Sequence, residues 1–396
     1  MRKSVLLIII LITKGCSLQQ AEPIPQNLQE LENLTVYSAD VKSAETISFQ
    51  KGAVYGDSGE ELIGRMGEVA VDSLGRVFIA DVASMVIHVF EPDGRLIGQL
   101  GRDGRGPGEF SSYIKNLQIL NHHLYALDPG SHRLHVFNLN TLSGETTISL
   151  AGNRSNYRAL ARTFPDIRNL FVRGDDTFIA EFVLNDSHER IQLYQNREMK
   201  GLYYQLDSNG FIERELLEFI SEIRTNLVLE INLKDFFGKV LRGFSSDDYI
   251  FLAKPDHFLV KTYSPSGDYH SAFFYPIRQI PLTLESADDA GVSERLRISG
   301  REISLMETVD LPETWPVLTD MKIDDYERFW IAATVEDMSV YEWWVLKDTG
   351  ELITQFKWPR NEPIEVVKNG YIYTRQSDEE TGLQQVVRYR IEWEEL

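Results

Sequence analysis

Residues 67–100 read GEVAVDSLGRVFIADVASMVIHVFEPDGRLIGQL. Four short apolar runs, EVAV, RVFIAD, MVIHVF and RLIGQL, are set apart by the polar stretches DSLG and EPDG and by a short Ser-containing link. β-branched and aromatic residues suit a pleated, packed surface, and Gly, Pro, Asp and Ser suit tight turns. The stretch therefore predicts an antiparallel meander of four strands.

The same layout recurs along the chain, in units of about 35 to 45 residues, a period typical of repeat architectures. It is legible at 114–150, at 168–195 continued by 201–217 after an insertion, at 238–275 and at 318–358. At 364–393 the pattern stops after three strands, and AETISFQKGAV at 44–54 is a strand pattern with no other place to pair. A first strand that completes the last sheet removes an open edge and locks a ring. The prediction is an all-β chain: a six-bladed β-propeller closed by an N-terminal strand. A helical or irregular insertion, residues 277–314, lies between blades four and five. Strand alternation is weak because each blade packs against two neighbours.

Ahead of the repeats, MRK followed by SVLLIIILI has the form of an export signal, with an apolar run too short for a lone membrane span. TKGCS then places Gly15 before Cys16, which resembles a bacterial lipobox, although Thr13 and Lys14 depart from its usual residues. The expected division is a signal peptide over 1–15, a lipid-anchored flexible tether over 16–43 and the propeller over 44–396. Cys16 is the sole cysteine, so an internal disulfide and a cysteine-based metal site are excluded. With 60 acidic against 40 basic residues, the formal charge of −20 repels polyphosphates, and no basic run offsets it. Nucleic acid is not an expected partner. Apolar residues make up 43% of the chain, which is ample for a large core.

The first repeat resembles the NHL type, through Val71, Asp72, Gly75, Val77, Phe78, Ile79, Ala80, Asp81, Ile87, Val89, Phe90 and Gly94. The second keeps Leu124, Tyr125, Leu127, Asp128, Arg133, Leu134, Val136 and Phe137. With the lipobox-like start, the chain is similar to the bacterial six-bladed β-propeller lipoproteins. That resemblance implies a fold and a place, the bacterial cell envelope, anchored at the outer membrane or the periplasmic face. It implies no chemistry.

GRDGRGPGEF at 101–110 is glycine-rich enough to suggest a phosphate loop. Such a loop needs a helix after it and a Lys-Ser/Thr pair, and here a strand follows without that pair. It reads as the connector between blades one and two, and NHL-type connectors place their Phe between blades. In a propeller the second strand of each blade ends on the connector face. Aligned blades put Asp81, Asp128, Glu181, Lys254 and Arg375 near that level, with Ala333 in blade five. Lys115 and Arg168 begin innermost strands, and Arg105 lies on the connector. These eight charged residues are the candidate ligand-binding set, a bipolar channel mouth suited to a zwitterion, peptide or sugar. For Asp81 and Asp128 the alternative is a turn cap bonded to local amides. His88 and His135 occupy the same repeat position in different blades and are read as packing residues, not a metal pair.

Two functions follow. One is a non-catalytic binding or scaffold propeller, a monomer held to a membrane by lipid and engaging a protein, peptide or glycan, with no cofactor. The other is a metal-dependent hydrolase or lyase with a channel-mouth active site, in which Asp81, Asp128 and Glu181 would hold a hard cation such as Ca²⁺. Lys254 and Arg375 on the same rim argue against the cation.

Overall fold

The computed structural model describes residues 24–56, 63–150, 152–157, 160, 166–183, 196–225, 234–290, 295–298, 301–304, 311–378 and 381–395. The export segment and Cys16 lie outside them. The first elements are a one-turn helix α1 (Gln26–Gln29), a short strand β1 (Leu34–Val36) and a long strand β2 (Glu45–Tyr55). Blade one is β3 (Met66–Val71), β4 (Val77–Asp81), β5 (Val86–Phe90) and β6 (Leu96–Leu100). Blade two is β7 (Lys115–Leu120), β8 (His123–Asp128), β9 (Arg133–Asn138) and β10 (Ser143–Ser149). Blade three is β11 (Asp166–Val172), β12 (Phe178–Val183), β13 (Asn196–Leu206) and β14 (Ile212–Thr225). After helix α2 (Lys234–Phe237), blade four is β15 (Leu241–Phe244), β16 (Ile250–Ala253), β17 (Phe258–Tyr263) and β18 (Tyr269–Tyr275). The 277–314 insertion contributes helix α3 (Leu284–Asp289) and a hairpin of β19 (Arg295–Ile298) and β20 (Arg301–Ser304). Blade five is β21 (Leu318–Ile323), β22 (Phe329–Thr334), β23 (Val340–Leu346) and β24 (Leu352–Pro359). Blade six is β25 (Ile364–Lys368), β26 (Tyr371–Ser377) and β27 (Gln384–Glu395). The chain is a six-bladed β-propeller.

Each blade is an antiparallel sheet whose first strand lies nearest the central channel. What joins the blades is a ring of apolar clusters, one at each boundary. Phe78, Ile87 and Leu124 pack between blades one and two, and Leu127, Phe178 and Tyr204 between two and three. Tyr203 and Ile250 join three to four, Phe258 and Trp344 four to five, Trp330 and Ile372 five to six, and Ile79 and Tyr373 one to six. A middle strand is thus covered on both faces, and β4 and β5 are buried along their whole length. This is why a simple inside–outside alternation does not mark them.

The outer edge of blade six is filled by β2, which runs antiparallel to β27 from Glu45 opposite Glu395 to Tyr55 opposite Val386. Tyr55 is fully buried, and its hydroxyl donates to the Pro92 carbonyl of blade one. The stretch before β2 departs from a free tether. β1 adds to blade four as a fifth strand, parallel to β18, because an unpaired strand edge offers hydrogen-bonding groups to any extended segment. Tyr37 stacks on Tyr275 at 4.9 Å, and Leu28 is buried against Leu259 and Phe274. From residue 24 onward the N-terminal segment is part of the folded body.

Candidate functional site

The connector 101–110 is a structural joint. Gly101 has φ +77, and a Cβ there would come within 2.4 Å of the Phe110 ring. Phe110 itself is fully buried with the side chains of blades one and two. Arg102 donates to Glu109 at 2.8 Å, and the Gly106 amide donates to the other Glu109 oxygen. Arg105 is exposed, and its carbonyl accepts from Arg133.

Asp81 and Asp128 are also structural. Both are fully buried. Asp81 accepts from the amides of Gly64, Arg65, Ala83 and Ser84 and from the Ser84 hydroxyl. Burial alone would raise its pKa, but these donors outweigh burial and bring it down to about 2. Asp128 likewise accepts from the Ser111 amide and the hydroxyls of Ser111 and Ser112, and its pKa is lowered against the pull of burial. Neither carboxylate has surface to offer a ligand in this conformation, so both leave the channel-mouth set. Each holds the incoming connector in place. His88 and His135 sit in separate third strands. His88 lies 3.8 Å from Asp81, and His135 Nδ1 is 3.0 Å from the Thr147 hydroxyl.

The charged ring of the channel is built differently from the aligned strand ends. In five of the six innermost strands the register slips by one residue near the start. The slips fall between Met66 and Val69, Lys115 and Gln118, Ile167 and Asn169, Leu318 and Asp320, and Ile364 and Val366. Such a bulge bends the strand and re-aims a side chain. Glu68, Asn116, Arg168 and Glu365 all fall within these slips. In blade four, β15 pairs without a slip and supplies Arg242.

These residues stitch neighbouring blades together. Glu68 of blade one accepts from the Leu117 amide of blade two at 3.1 Å. Asn116 and Gln118 accept from the Leu170 and Val172 amides of blade three, at 3.1 and 2.9 Å. Asn169 donates to Glu181, which pairs with Arg242 of blade four at 2.7 Å. Arg242 also donates to the Tyr203 hydroxyl. Between blades four and five, β15 approaches β21 closely at Gly243, where a Cβ would meet Ile323 at 2.8 Å. Lys322 pairs with Asp320 at 3.0 Å. Burial disfavours its charge, yet Asp320, Glu365 and Glu68 together raise its pKa. Glu365 pairs with Arg375 at 2.8 Å, and Arg375 donates to the carbonyls of Met66 and Gly67, which returns the belt to blade one. Glu68 is the strained member: burial raises its pKa, and the Leu117 amide and Lys115 only partly oppose that.

Lys115 and Arg168 stand near the starts of the innermost strands β7 and β11, and Glu181 and Arg375 belong to the belt, paired with Arg242 and Glu365. Lys254 does not. It is exposed beside an apolar pocket of about 180 Å³ formed with Phe236, Phe237, Trp315 and Pro316. The residues missed from sequence are Glu68, Arg242, Asp320, Lys322 and Glu365. All lie on innermost strands, and Glu68, Asp320 and Glu365 sit in or next to a slip, where one extra residue breaks the two-residue period that sequence reading relies on. Next to the belt is a cavity of about 470 Å³, bordered by Gln118, Arg242, Lys322 and Glu365. It reaches past Val71, Ile119 and Phe244 to Asp325 and Lys368, toward the face opposite the connectors. Among the described residues, no group of three or more His, Cys, Asp or Glu side chains is placed to hold a metal.

A family model described as a six-bladed β-propeller matches residues 58–160. No curated protein matches the sequence. Among solved structures, a member of the DUF4221 family from Bacteroides vulgatus is similar over 90% of this chain and 100% of its own, with a TM-score of 0.53 at 8% identity. A protein from Bacteroides fragilis whose name describes it as exported covers 91% of this chain and 99% of its own, with a TM-score of 0.47 at 11% identity. A virginiamycin B lyase from Staphylococcus aureus covers 87% of this chain and 99% of its own, with a TM-score of 0.42 at 10% identity. Identities this low speak to fold alone.

Proposed function

We propose that this chain is a non-catalytic binding propeller, exported and held at a bacterial envelope by lipid on Cys16, which takes a polar ligand or a polar loop of a partner protein into the central channel. The observation that supports it is the belt. Its acids and bases are paired, Glu181 with Arg242 across blades three and four, Lys322 with Asp320 within blade five and Glu365 with Arg375 within blade six, so the polar lining is held in place before any ligand arrives. A preorganised lining lowers the ordering cost of binding. Lys322 and Glu365 border the cavity with opposite charges, which suits a ligand carrying both donors and acceptors.

The test is a screen of short peptides and glycans against the purified propeller, followed by titration calorimetry on wild type and Lys322→Met. Losing one charge-assisted hydrogen bond costs roughly 1.5–3 kcal/mol, so Lys322→Met should weaken binding by about tenfold or more. Affinity unchanged in a folded Lys322→Met protein would remove the channel from consideration. A stoichiometric divalent ion in the purified protein would overturn the non-catalytic reading in favour of a metal-dependent hydrolase or lyase.

A further inference from the structure

A second cleft, larger than the cavity beside the belt, lies away from the channel. It lies between blades four and five, has a volume of about 760 Å³, and is thus of the size that holds small ligands. Its floor is a two-by-two patch on β23 and β24. Glu342 pairs across the strands with Lys357, and Trp344 pairs with Gln355. Residues two apart on a strand share a face, so these four side chains stand together. The opposite wall is Ile277, Arg278 and Ile280, where the chain leaves blade four. The rim is Ala39 and Asp40, held there because β1 pairs with β18 and Tyr37 stacks on Tyr275.

Several polar groups of this cleft, unlike those of the belt, make no hydrogen bond or ion pair with a neighbour. Among the described residues, the Asp40 carboxylate, the Gln355 amide and the Lys357 ammonium carry no hydrogen bond or ion pair within the protein. Glu342 has one oxygen taken by the Trp344 indole N–H at 3.2 Å and the other open. Arg278 and Glu336 are already paired with each other, and Asp337 caps the Ser339 turn. What remains is an anionic side, Asp40 and Glu342, and a cationic point, Lys357, with the Gln355 amide beside Lys357 on the same strand and an apolar wall at Ile277 and Ile280.

We infer that this cleft is a second binding site, distinct from the channel, for a zwitterionic peptide-like ligand. The ammonium end meets Glu342 and Asp40. The carboxylate end meets Lys357, and Gln355, next to Lys357 on β24, bonds a peptide group of the ligand. Glu342 is half-buried while Asp40 and Lys357 are exposed at the cleft, and charges gathered around a concave site gain more from a matched ligand charge than the same groups on a flat surface do.

The experiment uses the full chain without its export segment and a panel of Ala-X-Ala tripeptides, each compared with its N-acetylated and C-amidated form by titration calorimetry. Saturable binding is expected for at least one free tripeptide, weakened about tenfold by either blocking group. Lys357→Met should remove sensitivity to amidation, and Glu342→Gln sensitivity to acetylation. Lys322→Met, in the channel, should leave tripeptide affinity unchanged. Binding by no free tripeptide, or binding indifferent to both Lys357→Met and Glu342→Gln in folded proteins, overturns the inference. Loss of tripeptide binding on Lys322→Met alone would place that ligand in the channel and overturn it as well.

Discussion

Two carboxylates show how one residue type takes opposite roles in this fold. Asp81 is buried but surrounded by donors, and its pKa lies at about 2. A depressed carboxylate stabilises the folded state above its unfolded value, near pH 4, and loses that contribution as pH falls through the folded value. A shift of this size corresponds to about 2 kcal/mol. Asp81→Asn should therefore lower unfolding free energy by about that amount at pH 7, and the deficit should shrink as urea titrations are taken from about pH 4 down toward 2. Glu68 runs the other way, because burial raises its pKa. Its charged form is a cost at pH above the folded value, and the cost disappears below the unfolded value. Glu68→Gln keeps an acceptor for the Leu117 amide and should raise stability at pH 7, with the gain vanishing by about pH 4. A pH-independent effect would mean the carboxylate is not the source.

At the scale of elements, the extra residue in the innermost strands is the device that turns a packing strand into a polar lining. Gly67 and Glu68, Asn116 and Arg168 break the register where the channel begins. The Glu181–Arg242 pair then ties blade three to blade four. Removing one partner of a buried pair typically costs 3–5 kcal/mol, whereas replacing both by apolar groups is often close to neutral. Arg242→Met should lower stability by roughly 3–5 kcal/mol, and adding Glu181→Met should recover most of it in a double-mutant cycle. The N-terminal elements divide similarly. Removing residues up to 23 should leave the melting temperature unchanged. Removing residues up to 43 strips β1 and Tyr37 from blade four and should lower it while the fold persists. Removing residues up to 55 takes away β2 and opens blade six, and the protein should not fold cooperatively. Equal melting temperatures for the last two would refute a closing role for β2.

For the whole molecule, six apolar boundaries, with polar contacts at the channel, make a ring in which each blade depends on both neighbours. Such a body can present ligand sites on a fixed frame, and the N-terminal segment connects it to whatever lies upstream. If Cys16 carries lipid, wild-type protein should sediment with membranes, and Cys16→Ala should move it to the soluble exported fraction with its melting temperature unchanged. Membrane association that survives Cys16→Ala would end the lipid-anchor proposal.

The architecture was legible in the residues alone, because strand and turn preferences are local and the repeat of EVAV, RVFIAD, MVIHVF and RLIGQL needs no knowledge of distant contacts. The connector role of 101–110 was legible for the same reason. The site was not. Asp81 and Asp128 share an aligned position with Glu181, but only the folded chain shows that the first two are sealed among loop donors while Glu181 meets Arg242. The belt depends on one-residue slips, and a slip is a property of two paired strands, not of either sequence. The cleft between blades four and five joins residues 39–40, 276–280 and 333–357, and the parallel seating of β1 on β18 that shapes its rim follows from a free sheet edge rather than from any pattern in LTV. Local preference sets the strands; which side chains meet across blades is decided only when the ring closes.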